Sequence, residues 1–465
     1  MLNGNGLKRE IDFFSATILV IANMAGTGIF TTSGFIMEEL GNPYVLLLCW
    51  FTGGVFALCG ALCYGELGAM FPRAGGEYVF LRESFGKLMG FLSGWISLFV
   101  GFSAPIAAAS IAFSTYLFRG FSIPSGPEMV FSPAGITVAT ISPLSLTAIA
   151  VIVLFSLIHY HSVSAGSRVQ NELTLFKIVL IIVFVVAGLC LGNGSMEHFS
   201  EIPDLSSISA EKFAFSLIFV SFAYSGWNAA AYLGGEIKNP RKNIPLSLFT
   251  GTLVVTCFYM LLNMIYIYAL PAREMSGVLE VGSKSAVSLF GSNISKYFSG
   301  AVALGILSVL SAMIMTGPRV YYAMSKDRIF FEHFGRLNRI HKTPASSIFL
   351  QSFISVIMVI TASFDTLLIY IGFTLSLFAM LSVMGMMRLR KTRPAMKNTY
   401  RTFGYPITPL LFILGNLWII FFSIKSRPTA SLSGLGTIGL GMIFYFYFLH
   451  KEQLKKTKSE CCEAT

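Results

Sequence analysis

Two short stretches decide how this chain folds: AGTGIF at residues 25–30 and FAYSGWN at residues 222–228. Each lies in the middle of a long apolar segment and places glycine where a helix would otherwise continue. Glycine lacks a side chain and favours unwinding. Unwinding inside a membrane exposes backbone N–H and C=O groups, which are costly if they face lipid. We therefore expect both stretches to interrupt their helices and to line a polar cavity.

The composition places these stretches in a membrane protein. Of the 465 residues, 54% are hydrophobic and only 12% are charged, and the mean hydropathy is +0.71. A soluble domain carries about twice that charged fraction. A membrane helix needs about 20 apolar residues. About twelve windows of that size are predicted to span the membrane, near residues 11–33, 43–71, 86–118, 144–163, 172–192, 210–236, 244–270, 295–325, 346–364, 366–389, 406–425 and 432–450.

The two interrupted windows are the first and the sixth, so they run through the membrane in opposite directions. Broken helices in matching places of two inverted halves indicate the binding site of a transporter. N–H groups at the start of a half-helix suit a carboxylate, whereas free carbonyls suit an ammonium group. A zwitterion presents both charges on one carbon, so the pair predicts an α-amino acid better than a sugar or an inorganic ion. The alternative for the glycines is close packing of helices.

The distribution of basic residues predicts the orientation. If the N-terminus is cytoplasmic, about 25 basic residues face the cytoplasm and about 7 face the other side. The net charge of +11 therefore marks topology rather than nucleic-acid binding. We expect a multi-pass protein of the cell membrane with both termini in the cytoplasm. No segment between the windows is long enough for a soluble domain, so residues 1–465 form a single transporter domain.

Several function classes are excluded by missing patterns. The sequence has no Gly-x-x-x-x-Gly-Lys motif, which argues against direct ATP drive. The windows contain no His-Glu-x-x-His motif, no paired carboxylates and no histidine cluster. We therefore predict that the protein is not an enzyme and needs neither a cofactor nor a metal ion.

Five motifs resemble a known family: GTGIF at 26–30, YGELG at 64–68, PRAGGEY at 72–78, FAYSGWN at 222–228 and GEIKNP at 235–240. The chain is similar to members of the amino acid–polyamine–organocation superfamily. Within it, the resemblance is to the L-type amino acid transporter branch and its bacterial relatives.

This resemblance implies an all-α integral membrane protein with the LeuT-like fold. That fold has two inverted repeats of five helices, with helices 1 and 6 broken, followed by two further helices. The repeats would cover about residues 11–192 and 210–389, and the further helices about 406–450. The implied activity is secondary active transport of neutral amino acids by alternating access, by sodium-independent exchange or proton coupling.

Carried over by position, the resemblance also implies the substrate-binding residues. Backbone amides in the first interruption would hold the carboxylate, and carbonyls in both interruptions would accept from the amino group. The aromatic ring of Phe222 would close over the substrate as a gate. The implied set is Met24, Gly26, Thr27, Gly28, Phe222, Ala223, Ser225 and Gly226.

Lys177 is the most informative charged residue. It lies about 9 Å from the start of the fifth predicted span, a depth from which a lysine can reach the interface. The resemblance implies another role, in which Lys177 holds a cation between the first and fifth helices where related transporters place sodium. On that interpretation transport needs no sodium, and whether Lys177 titrates is left open.

The side-chain pocket is expected to be neutral, because no Asp, Glu or Arg is predicted near the interruptions. Asn23, Ser225 and Asn228 favour a small polar substrate such as serine, threonine or alanine. One alternative is a cationic amino acid or polyamine permease. Another is an amino acid sensor that has the same fold and does not transport.

The predicted partners are few. Eukaryotic L-type transporters carry a cysteine in the loop after the third helix, which bonds a glycoprotein heavy chain. The corresponding loop here, about residues 119–143, has no cysteine. We therefore expect no covalently linked heavy chain, and a monomer or weak dimer in the lipid bilayer that binds a small amino acid and no nucleic acid.

Overall fold

The computed structural model describes most of the chain and shows an all-α protein. Its only sheet within the described residues is a two-stranded antiparallel hairpin, β1 (Met129–Phe131) and β2 (Ala139–Ile141). Residues 1–8 and part of the predicted loop 119–143 lie outside the description. The described residues are 9–124, 126–132, 139–161, 163–200, 209–338, 340, 343–361, 364–394, 400–426 and 428–463.

Within the described residues, the first half of the chain forms nine α-helices and one π-helical segment. They are α1 (Phe13–Met24), α2 (Thr27–Thr31), α3 (Ser33–Leu40), α4 (Pro43–Met70), α5 (Glu77–Phe85), α6 (Lys87–Ile96), the π-helical segment Ser97–Ser103, α7 (Ala104–Gly120), α8 (Pro143–His161) and α9 (Val163–Leu191).

The second half adds eleven α-helices and two short 3₁₀ turns, Met196–Phe199 and Glu332–Gly335. The helices are α10 (Ala210–Tyr224), α11 (Ala229–Tyr232), α12 (Pro240–Ala269), α13 (Ala272–Met275), α14 (Val281–Phe290), α15 (Ser292–Thr316), α16 (Pro318–Lys326), α17 (Ala345–Thr361), α18 (Phe364–Thr392), α19 (Ile407–Ser426) and α20 (Pro428–Glu463).

Local sequence explains where the main helices begin. Asp12 precedes α1, and its side chain accepts a hydrogen bond from the Ser15 amide at 2.8 Å. Asn42 caps α4 in the same way, and Pro43 supplies a preset φ at the first helical position. After these starting points, the backbone N–H and C=O groups of an apolar segment in lipid have to bond to each other, and they do so in a helix.

The helices coincide with the windows predicted from hydropathy. Nine helices of the described residues are long and apolar enough to cross a membrane, and Ala345–Thr361 is a shorter apolar helix. The all-α membrane architecture is thus confirmed, while the count of twelve crossings stays a prediction. Two helices extend well beyond their predicted windows: α9 begins at Val163, not near 172, and α20 ends at Glu463, not near 450. The additional helical turns carry polar residues. A hydropathy window leaves such residues out of a membrane span, although they are compatible with a helix.

A long helix in the middle of the molecule organises the site. α12 packs along both α1 and α4, and α1 is also flanked by α9 and α15. The ring of Tyr259 on α12 lies 5.2 Å from the ring of Trp50 on α4 and 4.9 Å from the ring of Tyr224 on α10, measured between centroids. This aromatic cluster is buried and joins α10, α4 and α12.

Two glycines direct the start of α5 towards α11. Gly75 and Gly76 have φ values of 118° and 50°, which glycine adopts without strain. The Gly75 amide donates to the carbonyl of Tyr232 at 3.0 Å. A Cβ on Gly76 would lie 2.4 Å from the Tyr232 ring. The turn therefore sets Glu77, the first residue of α5, close to α11.

Candidate substrate site

The first interruption lies at residues 25–26; together with the helix ends on both sides of it, residues 23–29, it is called the first break here. Helix α1 ends at Met24 and α2 begins at Thr27. The Gly26 amide turns back to the Met24 carbonyl at 2.7 Å. The amides of Thr27, Gly28 and Ile29 have no hydrogen-bond partner in the described part of the chain. These free donors lie in buried backbone, where a ligand carboxylate could satisfy them.

The second interruption lies at residues 225–228; together with the end of α10 that precedes it, from residue 222, it is called the second break here. Helix α10 ends at Tyr224 and the single turn of α11 begins at Ala229. Ser225 is extended, with φ −55° and ψ 149°. Gly226 has a φ of 95°, a conformation that a residue with a side chain rarely adopts. The chain therefore unwinds after Tyr224 because of Gly226 and starts again as α11.

The two breaks lie directly against each other. A Cβ on Gly28 would lie 2.5 Å from the Cα of Ala223, and a Cβ on Gly226 would lie 2.8 Å from the backbone of Asn23. Both distances are shorter than any real contact, so glycine is needed on both sides. The close packing that was the alternative interpretation is therefore present, and it occurs together with the unwinding.

Tyr259 links the two breaks, although sequence reasoning gave no sign of it. Its hydroxyl lies 2.7 Å from the Met24 carbonyl and 2.8 Å from the Ala223 carbonyl. A phenolic hydroxyl has one proton to donate. It can therefore satisfy only one of these carbonyls fully at a time, and the other keeps most of its capacity to accept from a ligand.

Lys177 reaches the first break from α9. Its side chain is fully buried, and Nζ donates to the carbonyls of Ala22, at 3.2 Å, and Ala25. The aliphatic stem lies against Gly305 of α15. Because α9 begins at Val163, Lys177 is fourteen residues into its helix, about 21 Å from the start. The predicted depth of 9 Å was therefore wrong, and so was the alternative of a lysine reaching the interface.

Two cavities border the second break. Both are lined by Ser225, Gly226 and Asn228. Asn23 and Tyr232 line one of them. The other is lined by Phe222, the predicted gate, together with residues of α18 and α19. The predicted small polar side chains at positions 23, 225 and 228 therefore do face open space.

The prediction of a pocket without carboxylates was wrong. Glu77 is buried, lines the same cavity as Phe222, and accepts a hydrogen bond from the Asn228 amide at 2.8 Å. Its Oε1 also accepts from Tyr64 at 2.7 Å. Burial raises the pKa of the Glu77 carboxyl to about 7, although the hydrogen bonds from Tyr64 and Asn228 oppose the rise. Sequence distance hid this residue, because Glu77 is 151 residues from Asn228.

The remaining predicted site residues surround the breaks, but some of their polar groups are already bonded. The Phe222 carbonyl accepts from the Ser225 amide at 2.9 Å, and the Gly226 carbonyl accepts from Ala229 at 3.0 Å. The carbonyls of Met24 and Ala223 share the Tyr259 hydroxyl. A carbonyl has two lone pairs, so one bond leaves capacity for another. The Met24 carbonyl also accepts from the Gly26 amide, so it has room for a ligand only when the Tyr259 hydroxyl donates to Ala223.

Buried ion pairs flank the site. Arg319 of α16 donates two hydrogen bonds, of 3.0 and 3.2 Å, to the carboxylate of Glu236, and both side chains are buried. Arg390 of α18 likewise donates two hydrogen bonds to the carboxylate of the buried Glu66 of α4. Each of these two carboxylates has an arginine partner, unlike Glu77.

The family model described as "Amino acid permease" matches residues 11–448. The chain belongs to the amino acid permease family. It is therefore a multi-pass membrane transporter of amino acids with the LeuT-like fold of its superfamily, and it is not an enzyme.

Individual relatives of this permease cover nearly its whole length. The serine/threonine exchanger SteT of Bacillus subtilis (strain 168) is 30% identical over 453 residues, which are 97% of this chain and 98% of SteT. The large neutral amino acids transporter small subunit 2 of Rattus norvegicus is 28% identical, over 96% and 83% of the two chains. The human b(0,+)-type amino acid transporter 1 is also 28% identical, over 96% and 88%.

Proposed function

We propose that this permease exchanges neutral α-amino acids across the cell membrane by alternating access and without sodium. The contact between the two breaks is the observation that carries the proposal. Free amides in the first break and partly occupied carbonyls in both breaks lie around one position. A zwitterion can satisfy both kinds of group at once.

The substrate carboxylate would bind the amides of Thr27 and Gly28, beside Gly26. The ammonium group would take the acceptor capacity left at Met24 and Ala223 when Tyr259 donates to only one of them. Carbonyls of Phe222 and Ser225 would add to it, and the Phe222 ring would act as the gate over the bound molecule, with Gly226 allowing the close approach.

Lys177 supports the absence of sodium coupling. Its Nζ already occupies the carbonyls of Ala22 and Ala25 at the first break. A fixed ammonium in this position supplies the positive charge that a bound cation would bring, and it needs no ion gradient.

The inverted-repeat assignment remains part of the proposal. Helices α1 to α9 would form the first repeat, about residues 11–192, and α10 to α18 the second, about 210–389, followed by helices at about 406–450. Its support is that one break opens each half, in the first helix of that half.

The name of one relative favours exchange over net uptake, and the name of another favours neutral amino acids as substrates. One is called a serine/threonine exchanger and another a large neutral amino acids transporter. The test is uptake of labelled serine and alanine into proteoliposomes. Preloading with unlabelled amino acid should accelerate uptake, and replacing sodium by potassium should not slow it. Saturable binding without flux would favour the non-transporting sensor.

A cationic amino acid substrate is the second candidate, and Glu77 is the observation that favours it. A carboxylate beside Asn228 could pair with a substrate ammonium or guanidinium. Against it, two donors already hold the same oxygen of Glu77. Competition by lysine and arginine against labelled alanine decides between the two substrate classes.

A further part of the proposal is that the permease works without a covalently linked partner, as a monomer or weak dimer. The segment at residues 119–143 offers no cysteine for an intermolecular disulfide. Non-reducing gels of the protein purified from membranes should show a single species at the mass of the monomer, 50.8 kDa. A band shifted by a reducible partner would contradict this.

A further inference from the structure

Glu77 differs from the other buried carboxylates that flank the site. Glu66 and Glu236 each bind an arginine. Glu77 has no basic nitrogen within 4 Å in the described part of the chain, and its side chain is 4% exposed. A buried carboxylate without a cation is costly, and such a group avoids the cost by taking up a proton.

The groups that face Glu77 are polar but uncharged. They are Tyr64 of α4, the amide of Asn228, and Tyr232 of α11, with Tyr321 of α16 next to Tyr232. The nearest arginines belong to other carboxylates.

On the two neighbouring helices, α5 and α18, these arginines are paired with other carboxylates. Arg82 of α5 binds Asp327 and Glu83, and Arg390 of α18 binds Glu66. The negative charge of Glu77 would therefore be offset only by hydrogen bonds, and by the amino-terminal end of α5, where Glu77 is the first residue.

The position of Glu77 links the charge of its carboxyl to the closure of the cavity around the substrate. Its Oε1 holds Asn228, which belongs to the second break and faces both cavities. In this structure the two breaks touch and Glu77 is buried. An opening of the cavity would hydrate Glu77 and return it towards its ordinary behaviour, whereas closure removes that water.

We propose that Glu77 is a proton-binding site of the transport cycle, whose carboxyl must be neutral when the breaks close around the substrate. The proposal rests on the transport function inferred above and adds the coupling group to it. On closure, the Glu77 carboxylate takes one proton from a hydronium ion in the cavity: one O–H bond of the hydronium breaks, one O–H bond of the carboxyl forms, and the hydronium leaves as water.

The direction of the pH effect follows from linkage. Burial raises the pKa of Glu77 from its ordinary value of 4.5 to about 7 in the closed state. Closure is then unhindered below about pH 4.5 and becomes harder as the pH rises towards 7. Between pH 4.5 and 7, the equilibrium constant for closure changes by at most about tenfold per pH unit. Above it, both states are ionised and the effect levels off.

The main test measures alanine exchange in proteoliposomes between pH 5 and pH 7.5, where alanine remains a zwitterion. The wild-type rate should fall at least about fivefold over this range. Glu77→Gln mimics the neutral carboxyl, so its rate should be the same at both ends. Glu83→Gln is the matched control, because Glu83 lies on the same helix but binds Arg82 and Arg393. It should keep the wild-type profile.

A second measurement does not depend on the variant being active. Adding alanine to purified wild-type protein in weakly buffered detergent at pH 6 should take up close to one proton per carrier, read by a pH indicator dye. Alanine binding without proton uptake overturns the proposal, as does a Glu77→Gln carrier that keeps the wild-type pH profile.

Two further outcomes separate this proposal from others. Wild-type exchange that does not vary between pH 5 and pH 7.5 removes the Glu77 role but leaves the transport function intact. Absence of alanine binding and flux at every pH removes the proposed function itself. Selective loss of lysine and arginine uptake in Glu77→Gln would make Glu77 a cation subsite and overturn its role as a proton site.

Discussion

At the residue scale, the hydroxyl of Tyr259 is the most direct target, because one proton serves two carbonyls of the breaks. Tyr259→Phe keeps the ring packed on Trp50 and Tyr224 and leaves both carbonyls without their donor. We expect about a tenfold fall in transport efficiency, equivalent to about 1.4 kcal/mol. Initial rates of serine uptake across a concentration series measure it.

The control for this change lies two turns along the same helix. The Tyr266 hydroxyl is buried and has no partner among the described residues. Tyr266→Phe should therefore leave transport unchanged, since it removes a polar group that makes no bond. Equal effects of the two substitutions would show that Tyr259 matters only through its ring.

Lys177 offers a second prediction at this scale. Lys177→Met keeps the length of the side chain and removes the donor to Ala22 and Ala25. Uptake should fall at least about tenfold, because buried backbone carbonyls at the break lose their partner. The matched change is Lys425→Met, whose exposed Nζ binds only Glu211. Wild-type rates in Lys177→Met would assign the lysine a packing role alone.

Gly28 tests the contact between the breaks. Gly28→Ala would place a methyl group 2.5 Å from the Cα of Ala223, so the breaks have to separate. We expect loss of substrate binding together with a lower melting temperature. Gly439→Ala in α20 is the control, because nothing lies within 4 Å of the added Cβ. Wild-type affinity in the Gly28 variant would contradict the described closeness.

At the element scale, the pair of Arg319 and Glu236 ties the segment after α11 to α16. The Ile11 amide donates to the Glu236 carbonyl at 3.0 Å, so the amino-terminal segment is held at the same point. Glu236→Gln leaves a buried arginine without its charge partner, a loss of about 3 kcal/mol or more. The melting temperature in detergent should drop clearly. Glu211→Gln breaks an exposed pair and should leave it unchanged.

The same scale shows what sequence could predict and where it stopped. Hydropathy located the helices because lipid demands apolar side chains along each one. Glycine in AGTGIF and FAYSGWN located both breaks. Tyr259 was missed because it is 235 residues from Met24, and only packing of α12 against α1 brings them together. Glu77 was missed because PRAGGEY, at residues 72–78, lies between the predicted windows 43–71 and 86–118, although its two glycines could have signalled a turn towards the site.

At the scale of the whole molecule, the charged groups that join helices lie apart from the groups that face the substrate cavity. Carboxylates beside the helix ends carry arginine partners, and the aromatic cluster around Tyr259 closes the space behind the breaks. The one buried carboxylate that shares a cavity with the second break, among the residues described, is Glu77. The molecule thus pairs its carboxylates with arginine where helices are joined and, among the described residues, leaves Glu77 without a cation beside the second break.

Orientation is the last property that the whole chain determines. Basic residues in alternate segments predict that both termini are cytoplasmic and that the segment at 119–143 faces outward. In a bacterial host, a fluorescent protein fused after the carboxyl terminus should therefore fluoresce, and alkaline phosphatase fused there should be inactive. Phosphatase inserted at residue 124, just after α7, should be active, because it is exported. The reverse pattern would invert the membrane sides of every ion pair described above, and the Arg319–Glu236 pair would then close the outer face.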